Sequence, residues 1–284
     1  MERSMRTDRQ TSDLREGLWT RRSNDVRMEP KIITIASNKG GVGKSTIALH
    51  LAGALNAPLV DLDWEVGGSS NMWGHDPRRT QRAALLDALE RGPDAPAPRL
   101  RRHSGRPPLL ATHKDLGAAQ IDEGTVTDCV LSWTRQWGSP WVVVDTHPGL
   151  NALRTGAIAA SDLVVVPVLL SQHEIDALED FLVDDLRNHS VLLVVNRVPA
   201  GAARTSLAAR VLAHAGPRCA IGPVIREYRW LPRRRLRSAL TLQYANPVGT
   251  PRSGTPAAAA DQFRELAVTI THMLSQPQKE ALVA

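Results

Sequence analysis

The stretch SNKGGVGKST, residues 37–46, concentrates the side chains best suited to chemistry in this sequence. It sets two lysines, Lys39 and Lys44, around Gly40, Gly41 and Gly43. Glycines let successive backbone N–H groups turn toward an anion with no Cβ in the way. A β-branched run, KIITIAS at 31–37, leads into the loop, and a helical pattern, KSTIALHLAGAL, leads out of it. Strand, glycine loop and helix in that order aim the positive end of the helix at the same anion. The chemistry is nucleoside triphosphate binding. Gly40, Gly41, Val42 and Gly43 supply the cradle, Lys44 reaches the β- and γ-phosphates, and Ser45, beside Thr46, offers a hydroxyl to Mg2+. The strict GxxxxGK[ST] spacing is not met, because Asn38 stands where its first glycine belongs. Phosphate binding by one loop accounts for Lys44 and leaves Lys39 unexplained.

The elements that must position these residues follow from period and composition. Strand candidates are KIITIAS (31–37), APLVDLD (57–63), PPLLAT (107–112), WVVVDT (141–146), DLVVVPV (162–168), VLLVVNR (191–197) and CAIGPVI (219–225). Four are almost wholly apolar, as parallel strands covered on both faces are. Helical stripes lie between them: Ile47, Leu51 and Leu55; Ile175, Leu178, Leu182 and Leu186; and QFRELAVTITHML near the end. Strands alternating with helices predict a three-layer, doubly wound α/β domain with a mostly parallel sheet. Residues 91–108 and 245–258 read as surface loops. Residues 1–29, with seven arginines and six acids, read as a flexible charged arm. The domain is expected over 30–276, with a tail at 277–284.

Composition narrows the function classes. No apolar run approaches the ~18 residues of a membrane-spanning helix. Cys129 and Cys219 share no metal-ligand spacing, which fits a reduced cytoplasmic protein. Net charge is +6 with a pI near 9.9, suggesting a polyanionic partner.

KGGVGKST resembles the deviant Walker A motif of the ParA/MinD family of ATPases. APLVDLDWEVGGSS is similar to the family's second motif, with Asp61 and Asp63 as its acids, and WVVVDTHPG to its Walker B strand, ending in Asp145. DLVVVPV and VVNRV resemble its next two core strands, so the likeness runs from about residue 31 to 272. It implies a P-loop NTPase fold and Mg2+-dependent ATP hydrolysis. It also gives Lys39 a role: reaching across an ATP-dependent homodimer to the partner's phosphates, where a cation stabilises charge building on the transferred group. Asp63 would position the attacking water, and Asp145 would hold Mg2+ through water, with Ser45. Asn196 would read adenine, since an amide both donates and accepts. The chain departs from the family pattern at Trp64, Glu65 and His147, where proline, glutamine and proline are usual.

Residues 226–237, REYRWLPRRRLR, hold six arginines and one glutamate with Tyr228 and Trp230 interleaved. Arg226, Arg229, Arg233, Arg234, Arg235 and Arg237 are candidates for nonspecific contacts to double-stranded DNA. Arg99, Arg101, Arg102 and Arg106 form a second basic segment. The resemblance then implies a nucleoid-associated ATPase that partitions DNA with a ParB-like centromere-binding partner. A MinD-like ATPase cycling on membranes is the alternative; the closing residues SQPQKEALVA are too weakly apolar for its amphipathic anchor. An iron–sulfur carrier lacks its cysteines, and the residues before 31 are too few for a helix-turn-helix repressor domain.

Overall fold

Segments such as WVVVDT and LVVVPV become strands because β-branched residues pack well on a pleated surface covered from both sides. The computed structural model describes residues 29–79, 83–199, 219–233, 237–245 and 252–276. The strands are β1 (Lys31–Ile35), β2 (Leu59–Leu62), β3 (Leu109–Leu110), β4 (Trp141–Thr146), β5 (Leu163–Val168), β6 (Val191–Val195) and β7 (Cys219–Ile221). They form one sheet in the order β3-β2-β4-β1-β5-β6-β7. The expectation of a mostly parallel sheet sharpens: every pairing between these strands is parallel. An antiparallel bridge, Arg101 with Leu109, sits just outside it.

Among the described residues the α-helices are α1 (Lys44–Leu55), α2 (Ser69–Trp73), α3 (Ala84–Arg91), α4 (Glu123–Trp137), α5 (Ala152–Ala159), α6 (Gln172–Asp184), α7 (Leu240–Gln243) and α8 (Pro256–Ser275). Alternate strand residues feed opposite faces, as the two-residue period requires. Ile33, Ile35, Val143, Val165, Leu192 and Val194 pack with α1 and with Phe263 and Leu266 of α8. On the other face Val60, Leu62, Val142 and Val144 meet Leu85, Val130, Trp133 and Leu153 of α3, α4 and α5. Further along, Val164, Val166 and Leu193 pack on Leu178 and Phe181 of α6. Each fully buried aliphatic side chain contributes roughly 1.5–3 kcal/mol. The three-layer arrangement is thus present.

Sequence stripes understate α1, which is buried from Ile47 through Gly53, not along one face. It lies between the sheet and α2, α7 and α8. Helix α4 is capped by Asp122, whose carboxylate accepts from the Thr125 N–H at 2.9 Å. Apart from Glu29, the arm at 1–29 lies outside the described residues, as do the tail at 277–284, Arg234, Arg235 and the side chains of Ile175 and Arg233. None of the described helices is long and apolar enough to cross a membrane.

Candidate nucleotide site

The central strand β1 delivers the glycine loop to the carboxyl edge of the sheet, where open α/β sheets bind ligands. Gly41 and Gly43 both take positive φ, 78° and 101°. Gly43 is the N-cap of α1, and no side chain among the described residues caps that end. The first N–H groups of the helix therefore keep their donor capacity for an anion. Lys44 is only 6% exposed, and its ammonium donates to the Lys39 carbonyl at 3.3 Å. Burial pulls its pKa down, while Asp145 and Asp63 pull it back up. Lys39 is half-buried, and its amine donates to the His173 carbonyl at the start of α6, 2.9 Å away in the same chain.

Asp61, Asp63 and Asp145 converge below the loop. Asp61 and Asp145 are partners across β2 and β4 and are fully buried. Desolvation raises both: Asp145 to about 6, and Asp61 well above the carboxylate range, each worsened by a neighbouring carboxylate. Hydrogen bonds oppose the shift. Asp61 accepts from the N–H groups of Asp63 (3.0 Å) and Ser70 (2.6 Å). Asp145 accepts from the Ser69 hydroxyl on Oδ2, and the Ser45 hydroxyl also favours its charged form. Its Oδ1 has no hydrogen-bond partner among the described residues. A buried, unpartnered carboxylate oxygen beside a serine hydroxyl is the donor set a hard divalent cation takes, so Ser45 and Asp145 suit Mg2+. Asp63 is 8% exposed, follows β2 directly, and its Oδ1 accepts from the Glu65 N–H at 3.1 Å. Burial raises its pKa too.

Asn196 follows β6 and braces the loop. Its amide donates to the Val42 carbonyl at 2.7 Å and accepts from the Arg197 N–H at 2.9 Å. It sits so close to Gly43 that a Cβ there would overlap the amide nitrogen. Beside it opens a cavity of about 740 Å³, lined by Gly43, Thr46, Asn196, Arg226, Arg229 and Arg237 among others. That volume lies within the range of small-molecule sites, ~300–1,000 Å³.

Three of the six candidate arginines thus border the loop's own cavity. Arg226, Arg229 and Arg237 are exposed. The interleaved aromatics turn inward: the Tyr228 hydroxyl donates to Gln262 at 2.8 Å and the Trp230 indole to the Gly254 carbonyl at 2.8 Å. The second basic segment meets the first at the end of α2. Arg106 donates to the Trp73 carbonyl and Arg237 to the Gly74 carbonyl, at 2.7 and 3.2 Å. Arg99, Arg101 and Arg102 are exposed nearby in the chain.

Three groups hold places at the site that no motif assigned to them. Ser69 and Ser70, in the GGSS that closes the second-motif stretch, hold Asp145 and Asp61; a serine pair at a helix start was the available signal. Arg154 is wholly buried: it donates to Asn38 and, at 3.2 Å, to Asp185, with its guanidinium 5.0 Å from the Phe181 ring centre. It ties the loop to the far end of α6, and no spacing announced it. His147 stacks on Trp64 at 3.9 Å.

A family model described as the CobQ/CobB/MinD/ParA nucleotide binding domain matches residues 33–227. The chain belongs to this family. Among its relatives, the chromosome-partitioning ATPase Soj of Thermus thermophilus is 28% identical over 162 residues, covering 55% of this chain and 62% of that protein. The chromosome partitioning protein ParA of Caulobacter vibrioides is 31% identical over 163 residues, covering 52% and 58%. The matches to the first curated relatives span 62% of those proteins' length. The MinD cell division protein of Aquifex aeolicus has a similar fold, with a TM-score of 0.64 at 19% identity over 85% of this chain and 97% of that one. The ATP complex of a Cyanothece McdA variant also reaches 0.64, at 18% identity over 88% and 98%.

Proposed function

We propose that this chain is a ParA-like, Mg2+-dependent ATPase that forms an ATP-dependent dimer, binds DNA without sequence preference and moves it with a ParB-like partner. The observation that carries this reading is the pairing of Lys39 and Lys44 on one loop above Asp63 and Asp145. Lys44 and the open N–H groups of α1 suit the β- and γ-phosphates, and the cavity beside Asn196 has room for the nucleoside. Ser45 and Asp145 would hold Mg2+, which neutralises phosphate charge as it builds. Asp63, at the strand end, would orient the attacking water. Lys39 has to leave the His173 carbonyl to reach a partner's phosphates, so dimerisation and nucleotide occupancy are linked through one side chain.

DNA binding rests on the arginines. Arg226, Arg229 and Arg237 border the cavity, and Arg106 and Arg237 meet at the end of α2. A basic surface this close to the nucleotide is well placed to change affinity for DNA with occupancy.

The test is a titration of random-sequence duplex with ATP, with ADP and without nucleotide, at two ionic strengths, alongside phosphate release. Tight binding with ATP alone, weakened by salt, supports the reading. Equal affinity in all three nucleotide states defeats it.

A further inference from the structure

The three departures from the family pattern come together in space. His147, two residues after Asp145, lies flat on the Trp64 indole with ring centres 3.9 Å apart and planes within 8°. Trp64 in turn is packed against Gly117, where a Cβ would come within 2.7 Å of the indole. The plane of the imidazole is therefore held. Glu65 Oε1 lies 3.4 Å from its Nε2, too far for a good hydrogen bond. Both imidazole nitrogens are covered from solvent, and neither has a hydrogen-bond partner among the described residues. Buried polar atoms without partners are uncommon, and an ion is one recognised reason for them.

We propose that Asp63, Glu65 and His147 form a site for a first-row transition-metal dication such as Zn2+, separate from the Mg2+ position at Ser45 and Asp145. One donor atom from each residue lies within 4.8 Å of the other two. Ligands on a shared Zn2+ stand ~2.0–2.2 Å from the metal, so closure needs only a small movement. Glu65, whose side chain is 65% exposed, is able to make it. An imidazole donor selects Zn2+, Ni2+ or Co2+ over Mg2+, which prefers all-oxygen sets. The stacking of Trp64 on His147 holds the plane of the ring beside the two carboxylates. Three protein ligands leave coordination positions open to water or to a phosphate oxygen.

One consequence rests on the proposed function: metal on Asp63 takes that carboxylate away from the attacking water and slows hydrolysis. The binding itself needs no turnover to detect. Reduced, nucleotide-free full-length protein is titrated with ZnCl2 against a chromogenic chelator, comparing wild type with Glu65→Gln and His147→Ala. Glu65 is exposed, so Glu65→Gln keeps the fold even if losing the stacked ring does not. One equivalent of Zn2+ held at least tenfold more tightly by wild type than by either variant supports the site, as does an anomalous zinc peak between the three side chains. Equal affinity in all three proteins, or no stoichiometric binding by wild type, overturns it. If zinc binds as expected yet does not slow phosphate release, the site stands and the role given to Asp63 falls.

Discussion

Asp61 and Asp145 occupy the same rung of the sheet: β2 and β4 are in register at these two residues, and neither carboxylate reaches water. Two buried acids side by side disfavour each other's charge. The fold tolerates them because Ser69, Ser70 and the Asp63 N–H donate to them. Under the proposed function, a cation held at this edge would relieve the repulsion between the two acids.

The first prediction concerns pH. Asp145 titrates near 6 in the folded chain and near 3.8 when unfolded. Between those values the folded form holds a proton that the unfolded form releases, so stability falls as pH rises through the window. Without nucleotide or Mg2+, the melting temperature is expected to rise by a few degrees on going from pH 7.5 to 5. Asp145→Asn, which still accepts from Ser69, should reduce that rise and leave the share of Asp61 and Asp63, which burial also raises. A wild-type profile no steeper than the variant's would refute the assignment.

Gly43 is the second. Its φ of 101° and the adjacent Asn196 amide leave no place for a methyl group. Gly43→Ala should cost on the order of 1–2 kcal/mol in backbone strain and displace Asn196 from Val42. Nucleotide affinity, read by fluorescent ATP titration, is expected to fall more than tenfold while the chain stays folded by circular dichroism.

Much of this was legible in the sequence, and the misses have physical causes. Strand cores such as WVVVDT and VLLVVNR declare themselves because both faces are covered. The bounds of α1 follow directly from KSTIALHLAGAL. Helix α4 is harder to see, because EGTVTDCVLSWTRQW mixes polar residues into a face that buries Val126, Val130 and Trp133. Lys44, Asp63 and Asp145 were visible because a motif fixes them locally. Arg154 was not: its partners Asn38 and Asp185 lie 116 and 31 residues away, and only the fold brings them together.

Arg154 supplies the third prediction. Removing one member of a buried charged pair typically costs ~3–5 kcal/mol. Arg154→Leu strands Asp185, which is partly exposed, so the loss in urea unfolding should fall at or below the lower end of that range. Arg154→Lys keeps the charge but cannot span Asn38 and Asp185 together, and should lose less. If the leucine variant is as stable as wild type, the network is idle.

The two lysines separate in the fourth. Lys44→Ala removes the buried ammonium at the loop and is expected to abolish ATP binding. Lys39→Ala leaves that ammonium in place, so binding of ATP should survive while turnover and ATP-dependent dimerisation are lost. Single-turnover phosphate release and light scattering read the two effects. Normal turnover by Lys39→Ala would leave the first lysine without its trans role.

The arginines give the last prediction, and their placement makes it a comparison. Replacing Arg233, Arg234 and Arg235 with glutamate should weaken binding to random duplex and leave ATP affinity unchanged. Replacing Arg226, Arg229 and Arg237 should disturb both, because these three also line the cavity beside Gly43. Removing an arginine that binds a phosphate lowers the slope of log affinity against log salt by about 1. A set whose replacement changes affinity but not slope acts through the nucleotide pocket and not on DNA. Arg99, Arg101 and Arg102, changed together, report whether the second basic segment extends the same surface, because Arg106 and Arg237 meet beside the end of α2. If all three sets leave DNA affinity intact at moderate salt, the polyanion binds elsewhere or not at all.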